Sequence, residues 1–228
     1  LQPRVGFNWQ PALSKRTTIR GGAGLFYGRM PNVWLSNSYS NTGFNYVTYQ
    51  ATTLPAFSAD LDKQPTSGTA PAQTVAYLDP GFQLPSRWKA NLAVERELGF
   101  WDLKATAEAE GTWVRKDVFY ENSNLVSTGT GPDGRLLYWD KYTATASGTR
   151  LFSKSFSNRI MKLTNTDSGS TQAYTLSVER PLKKDGWSWK ASYVNTHAQE
   201  VLFGTSSVAA SNWNNRSIFN TNAQETHR

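Results

Sequence analysis

The chain has 228 residues, no cysteine, two histidines and a formal net charge of +7. Without cysteine there are no disulfides or thiolate metal sites, and no apolar run reaches the roughly 20 residues of a transmembrane helix, which excludes a helical inner-membrane protein but not one that crosses with half-apolar strands. Lys and Arg are scattered, never more than two in a row, as at Lys183-Lys184 in a turn, so the positive charge points to a polar interior and lipid headgroups rather than to a nucleic acid partner.

In chain order, residues 3–10 place Val5, Phe7 and Trp9 on one face and Arg4, Gly6 and Asn8 on the other. This period of two is the strand signature. After a short turn, residues 17–29 set Ile19, Ala23, Leu25 and Tyr27 against Arg20, Gly22, Gly24 and Phe26. Glycines on one face of a strand leave room for a close neighbour. Residues 31–85 lack sustained periodicity and form a long connection. The strand over 86–97 alternates Trp88, Ala90, Leu92 and Val94 with Arg87, Lys89, Asn91 and Glu95. Beyond Leu98-Gly99-Phe100-Trp101 the strand over 103–120 alternates Leu103, Ala105, Ala107, Ala109, Gly111 and Trp113 with Lys104, Thr106, Glu108, Glu110 and Thr112. A second long connection covers 121–158, with a turn signal at Gly131-Pro132-Asp133-Gly134-Arg135 suited to the tip of a small hairpin. Residues 159–180 read as one interrupted strand, with Tyr174, Leu176 and Val178 opposite Thr175, Ser177 and Glu179. A short turn at 181–186 leads to the last strand, over 187–197, which sets Trp187, Trp189, Ala191 and Tyr193 against Ser188, Lys190, Ser192 and Val194; 198–228 is a third long connection.

The expected fold is therefore all-β: an antiparallel up-and-down meander of about six long strands. These strands exceed the five or six residues usual in globular sheets and suit a tilted membrane crossing of roughly ten. Connections alternate short and long, as expected of a transmembrane β-barrel with tight periplasmic turns and long extracellular loops. Six strands do not close a wide barrel, so residues 1–228 are expected to be a single segment of a larger barrel wall in the outer membrane of a Gram-negative cell. Trp9, Tyr27, Trp88, Trp101, Trp113, Trp187 and Tyr193 lie near strand ends as an interfacial aromatic girdle. Arg20, Lys89, Glu95, Lys104, Glu108, Glu110 and Lys190 form the lumen-facing polar wall.

Pro3-Arg4-Val5-Gly6-Phe7-Asn8-Trp9 and, after the turn, Thr18-Ile19-Arg20-Gly21-Gly22-Ala23-Gly24-Leu25-Phe26-Tyr27-Gly28-Arg29 resemble a recurrent barrel hairpin of Oar-like TonB-dependent outer-membrane receptors. Residues 163–169 and 186–193 resemble later strands of the same barrels. The resemblance implies a large antiparallel barrel, a plug filling its lumen, and a TonB box that couples transport of a large solute to the inner membrane. Plug, TonB box and the aromatic-terminated last strand have no match in this sequence, which places the segment inside the barrel. The implied partners are outer-membrane lipid, the remaining barrel strands, the plug and, through the absent N-terminal part, TonB.

The loop aromatics Trp34, Tyr39, Phe44, Tyr46 and Tyr49 are ligand-contact candidates, because aromatic rings offer rigid area to sugars or peptides, with loop self-packing as the alternative. His197 and His227 lack the company a transition-metal site needs, and Asp60, Asp62, Asn165 and Asp167 lack the spacing of an EF-hand, so no metal site is expected. Glu95 and Glu97, and Glu108 and Glu110, share faces with Arg87, Lys89 and Lys104 and read as cross-strand ion pairs rather than an acid/base dyad. No nucleophile motif or phosphate loop is present; neither enzyme activity nor a cofactor is expected. Two other readings are a soluble β-sandwich binding module and a surface adhesin. The sandwich buries Trp88, Leu92, Leu103 and Trp113 against a second sheet; the barrel turns them to lipid.

Overall fold

The computed structural model describes residues 1–12, 16–43, 58–63, 73–132, 136–138, 153, 157–184, 186–202, 204–215 and 224–225. Their backbone is built on one antiparallel wall. Strand β1 (Arg4–Trp9) pairs with β2 (Thr17–Tyr27). Helix α1 (Asn32–Ser40), a single 3-10 turn at Leu61–Lys63 and strand β3 (Gln73–Leu78) then precede β4 (Ser86–Glu97), which pairs with β2. Strand β5 (Lys104–Asn122) pairs with β4 along its first half. The two-residue strands β6 (Gly129–Thr130) and β7 (Leu136–Leu137) pair around the expected hairpin signal. They are followed by β8 (Ser157–Thr166), β9 (Ser170–Arg180), β10 (Trp189–Glu200), helix α2 (Ala209–Asn215) and β11 (Gln224–Glu225).

The wall runs β1-β2-β4-β5-β9-β10, each strand antiparallel to the next. It is open among the described residues, with β11 touching only the end of β10. The strand count is higher than the six expected. Among the described residues there are eleven strand segments, because the long connections contain β3, β6, β7 and β11 and because β8 and β9 are separate.

Strands β8 and β9 nevertheless behave as one interrupted strand. Asp117 pairs with Thr166 and Trp113 with Ser170, so the register against β5 is the same on both sides of the break. Gly169 (φ 130°) occupies that break; a Cβ there would lie 3.1 Å from both the Gln199 carbonyl oxygen and Val114 Cγ2. Only glycine combines this backbone angle with so close an approach.

Beyond the end of β4 the two long strands continue into a second body, the cap. Here β3 joins the far edge of β8 in a parallel pair, α1 packs on β3, and α2 packs on β5 and β8. Met30, Ala76, Val118, Tyr120, Met161, Leu163, Ala209, Ala210 and Trp213 form its core. Residues from all three long connections meet there, an arrangement that strand periodicity does not encode.

The cap is pinned by side chain to backbone hydrogen bonds. Asn37 is buried on α1, and its amide donates to the carbonyls of Val33 (2.7 Å) and Ser207 (2.7 Å). Buried Asn212 accepts from the Ser206 amide (2.8 Å) and donates to the Ser206 carbonyl (2.7 Å). Buried polar groups satisfied in this way specify one arrangement of the helices.

Candidate functional site

The two faces of the wall differ in chemistry, and register aligns the difference from strand to strand. On one face Trp9, Ile19, Val94, Ala107, Leu176 and Tyr193 stand side by side across six strands. The next row holds Phe7, Gly21, Leu92, Ala109 and Tyr174. Val5, Phe7, Trp9, Leu92, Val94, Tyr174, Leu176 and Tyr193 are all exposed. An apolar surface of this extent exceeds what soluble monomers leave in water.

Of the residues the sandwich reading buries, Trp88, Leu92 and Trp113 are 44%, 50% and 45% exposed, while Leu103 alone is buried, in the β4–β5 turn. No second sheet covers this face among the described residues.

The expected girdle residues are exposed and fall into levels. Trp88 pairs directly with Trp113, while Tyr27, opposite Ser86, stands one row beyond. Trp101 and Trp187 lie in the short turns at the opposite rim, and Trp9 and Tyr193 share a row between. From Trp88 to the rim at Glu97 is nine residues, or roughly 30 Å of strand at ~3.3 Å per residue. At a tilt of about 40° that spans roughly 23 Å, close to the ~25 Å apolar band of an outer-membrane barrel.

The rim turns are tied together. Trp101 (φ 51°) and Asp102 (φ 58°) are the central residues of a turn in which the Leu103 amide donates to the Phe100 carbonyl (3.1 Å). Two positive φ angles make this the mirror-image turn that matches strand twist, usually built from Asn-Gly. Lys183 of the β9–β10 turn donates to Asp102. Arg180 lies 4.0 Å from the centre of the Trp187 ring and donates to the Trp187 carbonyl (2.7 Å).

The other face carries a ladder of charges. Glu97, Lys104, Glu179 and Lys190 stand opposite one another on four successive strands, alternating in sign. Glu95 lies between two cations, accepting from Arg20 Nε at 2.9 Å and from Lys104 Nζ at 2.5 Å. Arg20 reaches Glu108 at 3.9 Å, Lys104 reaches Glu179 at 4.0 Å, and Lys190 reaches Glu179 at 3.6 Å. Ala93 separates Arg20 from Glu108 in the register and is completely buried; its small side chain lets the guanidinium reach across. The ladder unites Arg20, Glu95, Lys104, Glu108 and Lys190, and adds Glu179, whose partnership only the β5–β9–β10 register reveals.

Lys89 and Glu110 are not in the ladder. They line a separate hollow of about 360 Å³ on the charged face, with Arg4, Gly22, Phe26, Asn91 and Thr112. A neighbouring hollow of about 280 Å³, also bordered by Thr112, contains the Arg87–Asp117 ion pair and is lined by Thr171, Thr196 and Glu200.

A family model described as an outer membrane beta barrel domain matches residues 1–226. The chain belongs to that family. No curated protein and no solved structure matches it.

Membership places this outer-membrane β-barrel domain in the outer membrane. No helix among the described residues is long and apolar enough to cross a membrane, which has no bearing on strands. Of the domain's ligand-contact candidates, Trp34 packs against the cap core, and its indole N–H donates to the Ser206 carbonyl at 2.9 Å. Tyr39 is 70% exposed on α1, and Phe44, Tyr46 and Tyr49 lie outside the described residues. The aromatics therefore do not form one surface on the described part of the barrel domain, and the polar groups it gathers lie instead on the charged face. No group of three or more potential metal ligands occurs among the described residues.

Proposed function

We propose that this chain is a section of the wall of a TonB-dependent, Oar-like outer-membrane receptor that transports a large solute. The carrying observation is the pairing, on one sheet, of an exposed apolar face about one bilayer thick with a charged face whose ion pairs run from strand to strand. The apolar face meets lipid, and the charged face lines a lumen completed by further strands and filled by a plug. The short turns lie at the periplasmic rim, where the plug communicates with TonB, and the cap lies outside the cell as the rim that gathers solute. The role is transport without catalysis and without nucleic acid. The TonB-dependent, Oar-like assignment rests on the residues of the β1–β2 hairpin and the later strands named above.

Lipid-phase quenching of labels placed singly at Ala90, Ala105 and Ala107, with Asn91 and Thr106 as controls, tests the wall. The three alanines are expected to be quenched from lipid and the controls from water. Burial of the alanines from both phases would overturn the wall and favour a soluble sandwich.

A further inference from the structure

The cations of the charged face divide into two groups. Arg20, Lys104 and Lys190 each have a carboxylate partner in the ladder, and Arg87 has Asp117. Among the described residues Arg4 and Lys89 have none. They stand on β1 and β4, two strands apart, and the residue between them in the register is Gly24. With no side chain at Gly24 the two lean towards one aromatic ring: the Arg4 guanidinium lies 4.4 Å and the Lys89 ammonium 5.7 Å from the centre of Phe26.

Gly24 is required for this arrangement. A Cβ there would lie 2.9 Å from Arg4 Cγ and 3.2 Å from Phe26 Cε2. Phe26 supplies a negative ring face that holds cations in place but does not neutralise them. One row nearer the turns, Asn91 and Glu110 face each other across β4 and β5 and line the same hollow. Two cations gathered at one end thus oppose an amide and a carboxylate at the other. On a wall where the other cations named are paired, like charges held together over one ring are complementary to an anion arriving from outside.

We infer that the hollow bounded by Arg4, Phe26 and Lys89 is a carboxylate-binding subsite for the transported solute, with Asn91 and Glu110 receiving a hydrogen-bond donor of the same molecule. The inference rests on the proposal that this face lines the lumen, and it names the chemistry of the large solute: carboxylate-bearing, with donor groups beside the acid. About 360 Å³ suits one residue-sized unit of such a molecule.

Titration of the full chain, folded in a zwitterionic detergent, with tri-glutamate and with tri-glutamine, both N-acetylated and C-amidated so that only the former carries carboxylates, tests this. Tri-glutamate is expected to bind, more weakly as salt is raised, and tri-glutamine not to bind. Arg4→Gln and Lys89→Gln should each weaken tri-glutamate about tenfold or more, the loss of one charge-assisted hydrogen bond. Gly24→Ala should weaken it by displacing Arg4, and Lys183→Gln, which removes the same charge from a rim turn, should leave it unchanged. Equal binding of the two peptides, no binding of either, or an equal loss in Lys183→Gln would overturn the subsite. Quenching at Asn91 in the same detergent separates the two failures. Water exposure there with no peptide binding sinks the subsite alone, while lipid-phase exposure sinks the lumen assignment beneath it.

Discussion

A single arginine placed on the apolar face measures what that face meets. Ala109 stands in the row of Leu92 and Tyr174, four residues from the Trp88–Trp113 pair and five from the Glu97–Lys104 rim. These separations are roughly 13 Å and 17 Å of strand at ~3.3 Å per residue, so Ala109 lies close to the middle of the band. Ala109→Arg is expected to destabilise the protein in liposomes by about 2–4 kcal/mol, the cost of a midplane arginine on a barrel's lipid face. Ala191→Arg, in the rim row with Arg96, Ala105 and Val178, should cost only about 0–1 kcal/mol because the guanidinium reaches the headgroups. Thr175→Arg, opposite Glu108 on the charged face, should stay within about 0.5 kcal/mol of the parent. The assay is reversible urea unfolding in liposomes followed by tryptophan fluorescence. Equal costs for Ala109→Arg and Ala191→Arg would refute the depth argument, and costs for both no larger than that of Thr175→Arg would refute lipid contact altogether.

Other expectations follow from the rim and the cap. Trp101→Gly should raise stability in detergent by roughly 1 kcal/mol, because an L side chain at φ 51° carries a steric penalty that glycine lacks; urea midpoints measure it. Gly204→Ala should destabilise the cap by at least about 1 kcal/mol, since a Cβ at φ 57° would also lie 2.5 Å from Trp34 Cη2; amide exchange in α1 and α2 should accelerate. In the cap, Asp79 accepts from the Gly81 amide (2.9 Å) and the Thr164 hydroxyl (2.8 Å), with Lys162 at 3.8 Å, and these hold its carboxyl below the ordinary carboxylate range, the amide most of all. A lowered folded pKa means that the stabilisation is complete above the ordinary value near 4 and is lost as pH falls through the depressed one. Asp79→Asn should therefore flatten the acid limb of cap unfolding, monitored by cap-localised exchange, and leave the neutral-to-alkaline limb unchanged.

The wall was legible where a strand is half apolar, because a period of two is then written directly in the residues. Ser86–Glu97 agrees with its expected limits, and the Tyr174-Leu176 alternation places β9 correctly. The interrupted strand was legible for the same reason, and its single register against β5 explains why the break did not conceal it. The cap was not legible. Helix α1, NVWLSNSYS, has no apolar stripe of its own and is held through Asn37 and Trp34 by residues more than 160 positions away. The parallel β3–β8 pair joins segments about 80 residues apart, a pairing no local pattern records. On the charged face residue type identified the wall, but only the register showed that Lys89 belongs with Arg4 and Phe26, and that Glu179 belongs with Lys104 and Lys190.

The cap stands on the two longest strands of the wall rather than hanging from loops. Strand β5 and the β8–β9 strand run from the rim turns to the cap core in one unbroken register. A pair locked in register does not slide, so a load applied to the cap travels down the sheet as bending. The regular pairing is interrupted between Trp113 and Asp117, at Gly169, where the Val114 amide still donates to the Gly169 carbonyl (3.1 Å). That gap borders the hollow holding Arg87 and Asp117. Any bending of the pair at Gly169 would therefore change the shape of that hollow.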